Sequence, residues 1–120
     1  MEAIRELAHE TWSEYFAAAS KELLNATVSI KIVGADGPPT VQAEHLALKA
    51  LAYDRRDDVF EVAAARGGPE LPSVLRHMVD HPERVAVDTH TMLAPMTIAV
   101  DSRDGVRTVI KIERDPEFTG

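Results

Sequence analysis

The 120-residue chain has no cysteine, few aromatic side chains and no long apolar run. Without cysteine, disulfide bridges, thiolate nucleophiles, zinc fingers and iron–sulfur clusters of the usual kind are excluded. A bilayer span needs about 20 apolar residues in a row, so we expect neither a membrane segment nor a membrane partner. Glu2, Glu6 and Glu10 stand where a secretory signal would have a basic start and an apolar core. The expected location is therefore the cytoplasm.

Basic residues are too few to form a nucleic-acid surface. The chain has 13 Lys and Arg against 20 Asp and Glu, which gives a net charge of −7. Both halves are acidic, with ten acids and six bases in residues 1–60 and ten acids and seven bases in residues 61–120. Because affinity for a phosphate backbone comes from clustered basic side chains, nucleic acid is not an expected partner. The length and the 45% hydrophobic content predict a single domain over residues 1–120.

The first segment has the pattern of one long amphipathic helix. Residues 2–24 contain no Gly or Pro, and apolar side chains, among them Trp12, Phe16 and Leu23, recur on one arc of the helix. Glutamates spaced four residues apart lie on the opposite arc. A competing pattern, Thr11-Trp-Ser-Glu14, is that of a capping box and would start the helix at Thr11. We predict the continuous helix over 2–24, with its aromatic side chains in the core.

After Asn25 the apolar period changes from 3.6 to 2, which indicates strands. Six strands are predicted between residues 27 and 113, in the segments 27–32, 45–53, 58–64, 85–87, 96–100 and 106–113. The second has apolar residues on both faces, which is typical of a central strand, and we expect it to form a hairpin with the third. A return to helical spacing predicts a short helix over 71–80 that ends before Pro82. The tail, residues 115–120, is expected to fray.

The predicted order of elements is α-β-β-β-α-β-β-β. This order favours an α+β fold, in which the long N-terminal helix packs on a curved antiparallel sheet or small barrel of about six strands, with the short helix between strands three and four. The predicted core consists of residues on the apolar face of each element, where full burial of one side chain contributes about 1.5 to 3 kcal/mol. These residues are Trp12, Phe16, Ile30, Leu48, Phe60, Val62, Leu75, Val87, Ile98 and Ile110.

A local cluster with metal-ligand character is formed by His77, Asp80 and His81. Histidines four residues apart on a helix can share one face, and Asp80 adds an oxygen ligand. The glutamate of an H-E-x-x-H motif is absent, however, and Pro82 ends the predicted helix too early for His81 to keep that spacing. Zinc would also need a third ligand, for which Asp80 and the distant His90 are the candidates. We expect no metal site. The alternative is that Asp80 and His81 satisfy backbone groups at the helix end.

Two groups of aspartates flank predicted turns, at positions where calcium ligands are also conceivable. Neither group has the spacing of a calcium loop, so capping of the turn backbone is the favoured interpretation. The groups are Asp54, Asp57 and Asp58, and Asp101 and Asp104. The chain has no phosphate-binding glycine loop and no nucleophile motif, and we expect no cofactor.

Several short motifs resemble a bacterial single-domain family of unknown function. They are W-x-x-[YF]-F on the opening helix, Y-D-x-x-D-D in a hairpin, D-H-P, and a closing Asp104-Gly105 hairpin. In this sequence they stand at Trp12 to Phe16, Tyr53 to Asp58 and Asp80 to Pro82. The resemblance extends from Trp12 to about Glu113 and implies one compact domain of about this length. It implies no activity, cofactor or catalytic residue.

The motifs that are missing favour a non-catalytic function. Without a nucleophile–base pair, a phosphate loop or a convincing ligand set, we expect a module that self-associates or binds another protein through a sheet edge or the amphipathic helix. The alternative is a small-molecule-binding protein or acid/base enzyme with a pocket in the curved sheet, whose wall residues would be Tyr53, Asp54 and His90. A flat apolar patch at a symmetric contact would favour the module, and a ligand-sized pocket with two titratable groups would favour the alternative.

Overall fold

A computed structural model describes residues 4–34, 36–66, 74–89 and 93–113. Within these ranges the chain forms eight strands and one helix, α1, which follows a short 3₁₀ turn at His9–Thr11. Their bounds are β1 Arg5–Leu7, α1 Trp12–Glu22, β2 Thr27–Val33, β3 Thr40–Asp54, β4 Val59–Ala65, β5 Val74–Asp80, β6 Pro82–Val87, β7 Met96–Ser102 and β8 Arg107–Glu113. No helical segment of the described ranges has the length and apolar character that a bilayer span requires.

All eight strands belong to one antiparallel sheet, in the order β1-β6-β7-β8-β2-β3-β4-β5. In this order β5 lies at one end of the sheet and β6 near the other, yet His81 alone connects them. The sheet must therefore curve strongly to bring both ends together. We call the turn at His81, between β5 and β6, the corner. There the His81 amide donates a hydrogen bond to the Asp58 carbonyl at 2.9 Å, and the Arg103 amide donates one to the His81 carbonyl at 3.0 Å.

The predicted helix over 2–24 is wrong in its length. The helix spans only Trp12–Glu22, and Arg5–Leu7 instead form β1, in which Leu7 pairs with Val85 of β6. Pairing with the edge of β6 satisfies the backbone of this segment and buries Leu7, so tertiary contacts override the helical periodicity. The helix begins where the capping box predicted, but the Thr11 hydroxyl donates to the Ala8 carbonyl at 2.7 Å and makes no capping bond. Residues 2 and 3 lie outside the described ranges.

The predicted short helix over 71–80 is also wrong, because residues 74–80 form strand β5. The same residues alternate well enough for a strand, with Leu75 and Val79 turned towards the core, and β4 offers an edge that pairs with all seven of them. Val74 and Met78, which the helical spacing places on the apolar stripe, are exposed by 57% and 55%. Residues 71–73 and the tail from 114 lie outside the described part.

The fold class must be corrected accordingly. The described chain is mostly an eight-stranded antiparallel sheet with one short helix, and not an α+β arrangement of a long helix on six strands. The six predicted strands are confirmed and correspond to β2, β3, β4, β6, β7 and β8. The predicted hairpin is β3–β4. The two additional strands, β1 and β5, replace predicted helical segments.

Helix α1 packs against β3 and carries Trp12, Phe16 and Ala19 into the core. The Phe16 ring lies 4.9 Å from the ring of Phe60. Nine of the ten predicted core residues are buried, and the tenth, Leu75, is partly buried against the same cluster. The spacing of apolar residues therefore predicts the core even where it misassigns the element.

A bulge explains why β3 has apolar residues at both even-numbered and odd-numbered positions. The pairing of β3 with β4 shifts register between Leu48 and Ala50, so one extra residue reverses the alternation. Leu48 before the bulge, and Leu51 and Tyr53 after it, are consequently all buried. Just beyond the bulge, the Ser20 hydroxyl of α1 accepts from the Leu51 amide at 2.6 Å and donates to the Leu51 carbonyl at 2.7 Å. The helix thus satisfies backbone groups of the strand on which it packs.

The core assignment predicts that Ile98→Asp prevents stable folding. Ile98 is fully buried in β7 between Val87 and Ile110. An unpaired carboxylate there costs several kcal/mol, which is comparable with the whole stability of a small domain. Circular dichroism should record no cooperative thermal transition. The control, Ile98→Val, should lose only about 0.5 to 1.5 kcal/mol, and an Ile98→Asp protein that melts like the parent would contradict the assignment.

Candidate functional site

A chain of hydrogen-bonded polar side chains lies at the corner where β5 becomes β6. We call this set the corner cluster: His9, Tyr53, Asp58 and His81. The Tyr53 hydroxyl donates to Asp58 Oδ1 at 2.6 Å, and His81 Nδ1 lies 3.1 Å from Asp58 Oδ2. His9 Nε2 lies 3.0 Å from the Tyr53 hydroxyl oxygen. Because the single hydroxyl proton is given to Asp58, His9 must be the donor to Tyr53.

Four separate parts of the chain supply these side chains. His9 comes from the turn before α1, Tyr53 from the end of β3, Asp58 from the β3–β4 turn and His81 from the corner. Asp58 and His81 have φ values of 55° and 53°, in the left-handed region that few residues other than glycine adopt. The backbone bond from the His81 amide to the Asp58 carbonyl holds these two residues together. The cluster therefore joins the helix, the hairpin and the corner.

The hydrogen bonds also determine the protonation states in the cluster. Bonds from Tyr53 and then from His81 lower the pKa of Asp58, so its carboxylate is ionised at neutral pH. Burial, together with the hydrogen bond to Asp58, raises the pKa of Tyr53 to about 12, so its hydroxyl keeps the proton. The Trp12 ring packs edge-on against His9 and Tyr53, with ring centroids 4.4 and 5.1 Å apart. Tyr53 is therefore a donor and not a base.

The carboxylate of Asp58 orients the His81 imidazole, as carboxylates do in catalytic Asp–His pairs. The side chain of His81 is about half exposed, at 52%. The contacts of the corner cluster thus make it a brace for the bend between β5 and β6.

The free edge of β5 starts at this brace. One side of β5 pairs with β4 along all seven residues, from Val74 opposite Ala65 to Asp80 opposite Val59. On its other side, no strand from the described ranges pairs with it, since β5 is the last strand of the sheet. The opposite end of the sheet is β1, which has only three residues and carries an ion pair from Glu6 to Arg84 at 2.9 Å. The two edges therefore differ in length.

The predicted metal cluster does not have the geometry that a shared helical face would give it. His77 and Asp80 lie on strand β5, and His81 lies at the corner bound to Asp58, so the two histidines belong to different elements. Burial lowers the pKa of His77 and favours its neutral form. In the part of the chain that the structure describes, no three His, Asp or Glu side chains are grouped closely enough to hold a metal ion. His90, the distant candidate ligand, lies outside the described ranges.

Of the proposed pocket-wall residues, only Tyr53 belongs to the corner cluster. Asp54 caps its own turn, with Oδ1 accepting from the amides of Arg56 at 2.9 Å and Asp57 at 3.3 Å. Asp104 likewise accepts from Ser102 and from the Val106 amide. These contacts match the turn capping predicted for Asp54 and Asp104, whereas Asp58 binds Tyr53 and His81, and Asp101 binds the side chain of Arg107.

Sequence reasoning misses His9 and the partnership of Asp58 with His81. Helical periodicity places His9 on the solvent side of a helix, whereas it lies in the turn before α1. Asp58 and His81 are 23 residues apart, and the antiparallel pairing of β4 with β5, which ends with Val59 opposite Asp80, brings them together. The one local signal is the D-H-P segment, which marks the corner itself.

Comparison with known proteins gives a family but no activity. The protein-family model described as "Family of unknown function (DUF5335)" matches residues 3–118 of the sequence. This match confirms the predicted resemblance to a family of unknown function. A protein of Aquifex aeolicus (strain VF5) described as "Uncharacterized protein" is 28% identical over 111 residues, which cover 92% of this chain and 93% of that protein. No solved structure matches the chain significantly.

The corner cluster predicts a pH-dependent effect of Asp58→Asn. The lowered pKa of Asp58 means that its carboxylate stabilises the fold above the unfolded-state pKa of about 3.9, and that this stabilisation is lost as the pH falls through the folded-state value. At pH 7 the variant should melt several degrees below the parent. The difference should shrink as the pH is lowered towards 3.

Thermal melts of both proteins between pH 3 and pH 7 measure this effect. Asp57→Asn, a change in the same turn at an exposed residue, is the matched control and should follow the parent throughout. A deficit of Asp58→Asn that stays constant over the whole pH range would mean that the charge of Asp58 does not brace the corner.

Proposed function

The chain belongs to DUF5335, a family of unknown function, and on that premise we propose that it is a non-catalytic module that self-associates through the free edge of β5. The supporting observation is the seven-residue edge strand itself. Unpaired backbone N–H and C=O groups on such an edge are a template for pairing with another strand. The partner in this proposal is a second copy of the chain. Nucleic acid and membrane are not proposed partners.

The composition of β5 supports pairing and does not oppose it. Lysine, proline and bulges, which are among the features that protect natural edge strands, are absent from β5, and its charged residues Arg76 and Asp80 are of opposite sign. Val74 and Met78 expose apolar surface on its outer face. The corner cluster holds one end of the strand in place, so pairing costs little further conformational entropy at that end.

One register makes β5 complementary to itself. In an antiparallel pair with Met78 on the two-fold axis, Met78 lies opposite Met78 of the second copy, and Arg76 lies opposite its Asp80. The pair then contains two equivalent ion pairs around an apolar centre. In this register each residue faces one that points to the same side of the sheet. Inner-face residues therefore lie opposite inner-face residues, and the two sheets form one continuous sheet. Opposite charges directly across a strand pair are favourable, and like charges are not.

The expected association is weak. A contact along one strand is smaller than the 1,200 to 2,000 Å² of total surface that stable interfaces bury, so we expect a dissociation constant in the micromolar range or above. Contacts of this size are typical of transient assemblies, whose populations respond to concentration.

Charge exchange at Arg76 and Asp80 tests the proposed register. Arg76→Asp alone and Asp80→Arg alone should each weaken self-association by roughly tenfold, because each change acts twice across the two-fold axis. The double variant, with both charges exchanged, should associate again within a few-fold of the parent. Sedimentation equilibrium over a dilution series measures these constants. Thermal melts of the same variants measure their stability and must accompany these constants, because Arg76 also forms an ion pair with Glu61 at 3.6 Å in its own chain.

A second pair of variants separates the edge from general surface effects. Met78→Lys places two lysines on the two-fold axis and should leave only monomer. Leu24→Lys changes a side chain of similar exposure, 53%, just after α1, and should associate like the parent. A parent that is monomeric at millimolar concentration, or a double variant that is as weak as the single ones, would overturn the proposal.

A further inference from the structure

A cleft on the outer face of the sheet lies where β3 departs from regular pairing with β2. The register shifts twice, between Val28 and Ile30 and again between Ile30 and Lys31. His45 has a φ of 54° within this irregular stretch, and its amide donates to the Ser29 hydroxyl at 3.2 Å. The resulting depression has a volume of about 280 Å³. We call it the bulge cleft, lined among others by Ser29, Lys31, Val41, His45, Val109 and Lys111.

Two lysines on the same face meet in the bulge cleft. Lys31 lies opposite Val109 in the β2–β8 pair, and Lys111 lies opposite Ser29, so the lysines are diagonal neighbours. Cross-strand diagonals of this kind are about 7 to 8 Å apart, a spacing that one anionic group can bridge. Neither lysine forms an ion pair with another residue of the described ranges, although Glu44 and Glu113 also line the cleft. The two lysines balance the two glutamates of the lining, so the cleft is close to neutral in a chain whose net charge is −7.

Apolar side chains complete the bulge cleft. Val41 is exposed by 53% and Val109 is half-buried, and both line the cleft beside the lysines. Small-molecule sites are typically lined mainly by apolar groups, with a few polar groups that fix the orientation of the ligand. β-bulges also recur next to binding sites, because they turn side chains out of the regular alternation.

We propose that the bulge cleft binds a small organic anion. Its carboxylate or phosphate group lies between Lys31 and Lys111, and its apolar body lies on Val41 and Val109. This site goes beyond self-association through β5, because it lies on β2, β3 and β8.

Amide chemical shifts in a ¹⁵N NMR titration test the site. The probes are benzoate, phenyl phosphate and the neutral benzyl alcohol, each added to the full chain. Benzoate or phenyl phosphate should shift the amides of residues around the cleft, such as Ser29, Lys31 and Lys111, with a saturable dissociation constant on the order of 1 mM. Benzyl alcohol should bind at least about tenfold more weakly. The preferred probe identifies the anionic group.

Variants at the two lysines provide the decisive comparison. Lys31→Gln with Lys111→Gln should abolish the localised shifts, while Lys21→Gln, a change at an exposed lysine of α1, should leave them unchanged. The proposal is overturned if neither anion gives localised shifts, if benzyl alcohol binds as well as the anions, or if the shifts survive in the double variant. None of these outcomes depends on whether β5 self-associates.

Discussion

His81 bends the chain from one end of the sheet to the other, and the rest of the architecture depends on this bend. A single residue connects β5 with β6, although they lie at positions eight and two of the sheet order. Hydrogen bonds hold it on both sides, to Asp58 in the β3–β4 turn and to Arg103 in the β7–β8 turn. The inner face of this curved sheet receives the buried side of α1, which packs on β3. A flat sheet would leave Trp12 and Phe16 without the strands that bury them.

The same curvature separates the surfaces on which function is proposed. The inner face is occupied by the helix and the core, so ligands and partners must use an edge or the outer face. The edge is β5, because β1 has only three residues. On the outer face, the bulges of β3 open a cleft with an apolar wall. Self-association and anion binding therefore require different residues.

How well the sequence predicts each element depends on whether neighbouring or distant residues in the chain stabilise it. Strands with strict alternation, such as β7 and β8, and their core residues Ile98 and Ile110 are predictable because their signal is local. The two misassigned segments, 5–7 and 74–80, carry mixed periodicity, and distant strand edges decide their structure. In β3 the change of apolar parity at Leu48 and Leu51 is a visible sign of a bulge, although it equally fits a strand covered on both faces. The contact of Asp58 with His81 is not predictable from local sequence, in which only the D-H-P segment marks the corner.

The most direct test of the central claim is hydrogen–deuterium exchange of the β5 backbone as a function of protein concentration. Half of the β5 amides already bond to β4, and those that point away from it exchange freely in a monomer. If β5 is the site of association, protection of residues 74–80 rises with concentration, while protection of β1 at the other end of the sheet does not change. Exchange in β5 that is equal at micromolar and millimolar concentration would contradict the claim that this edge is the site of association.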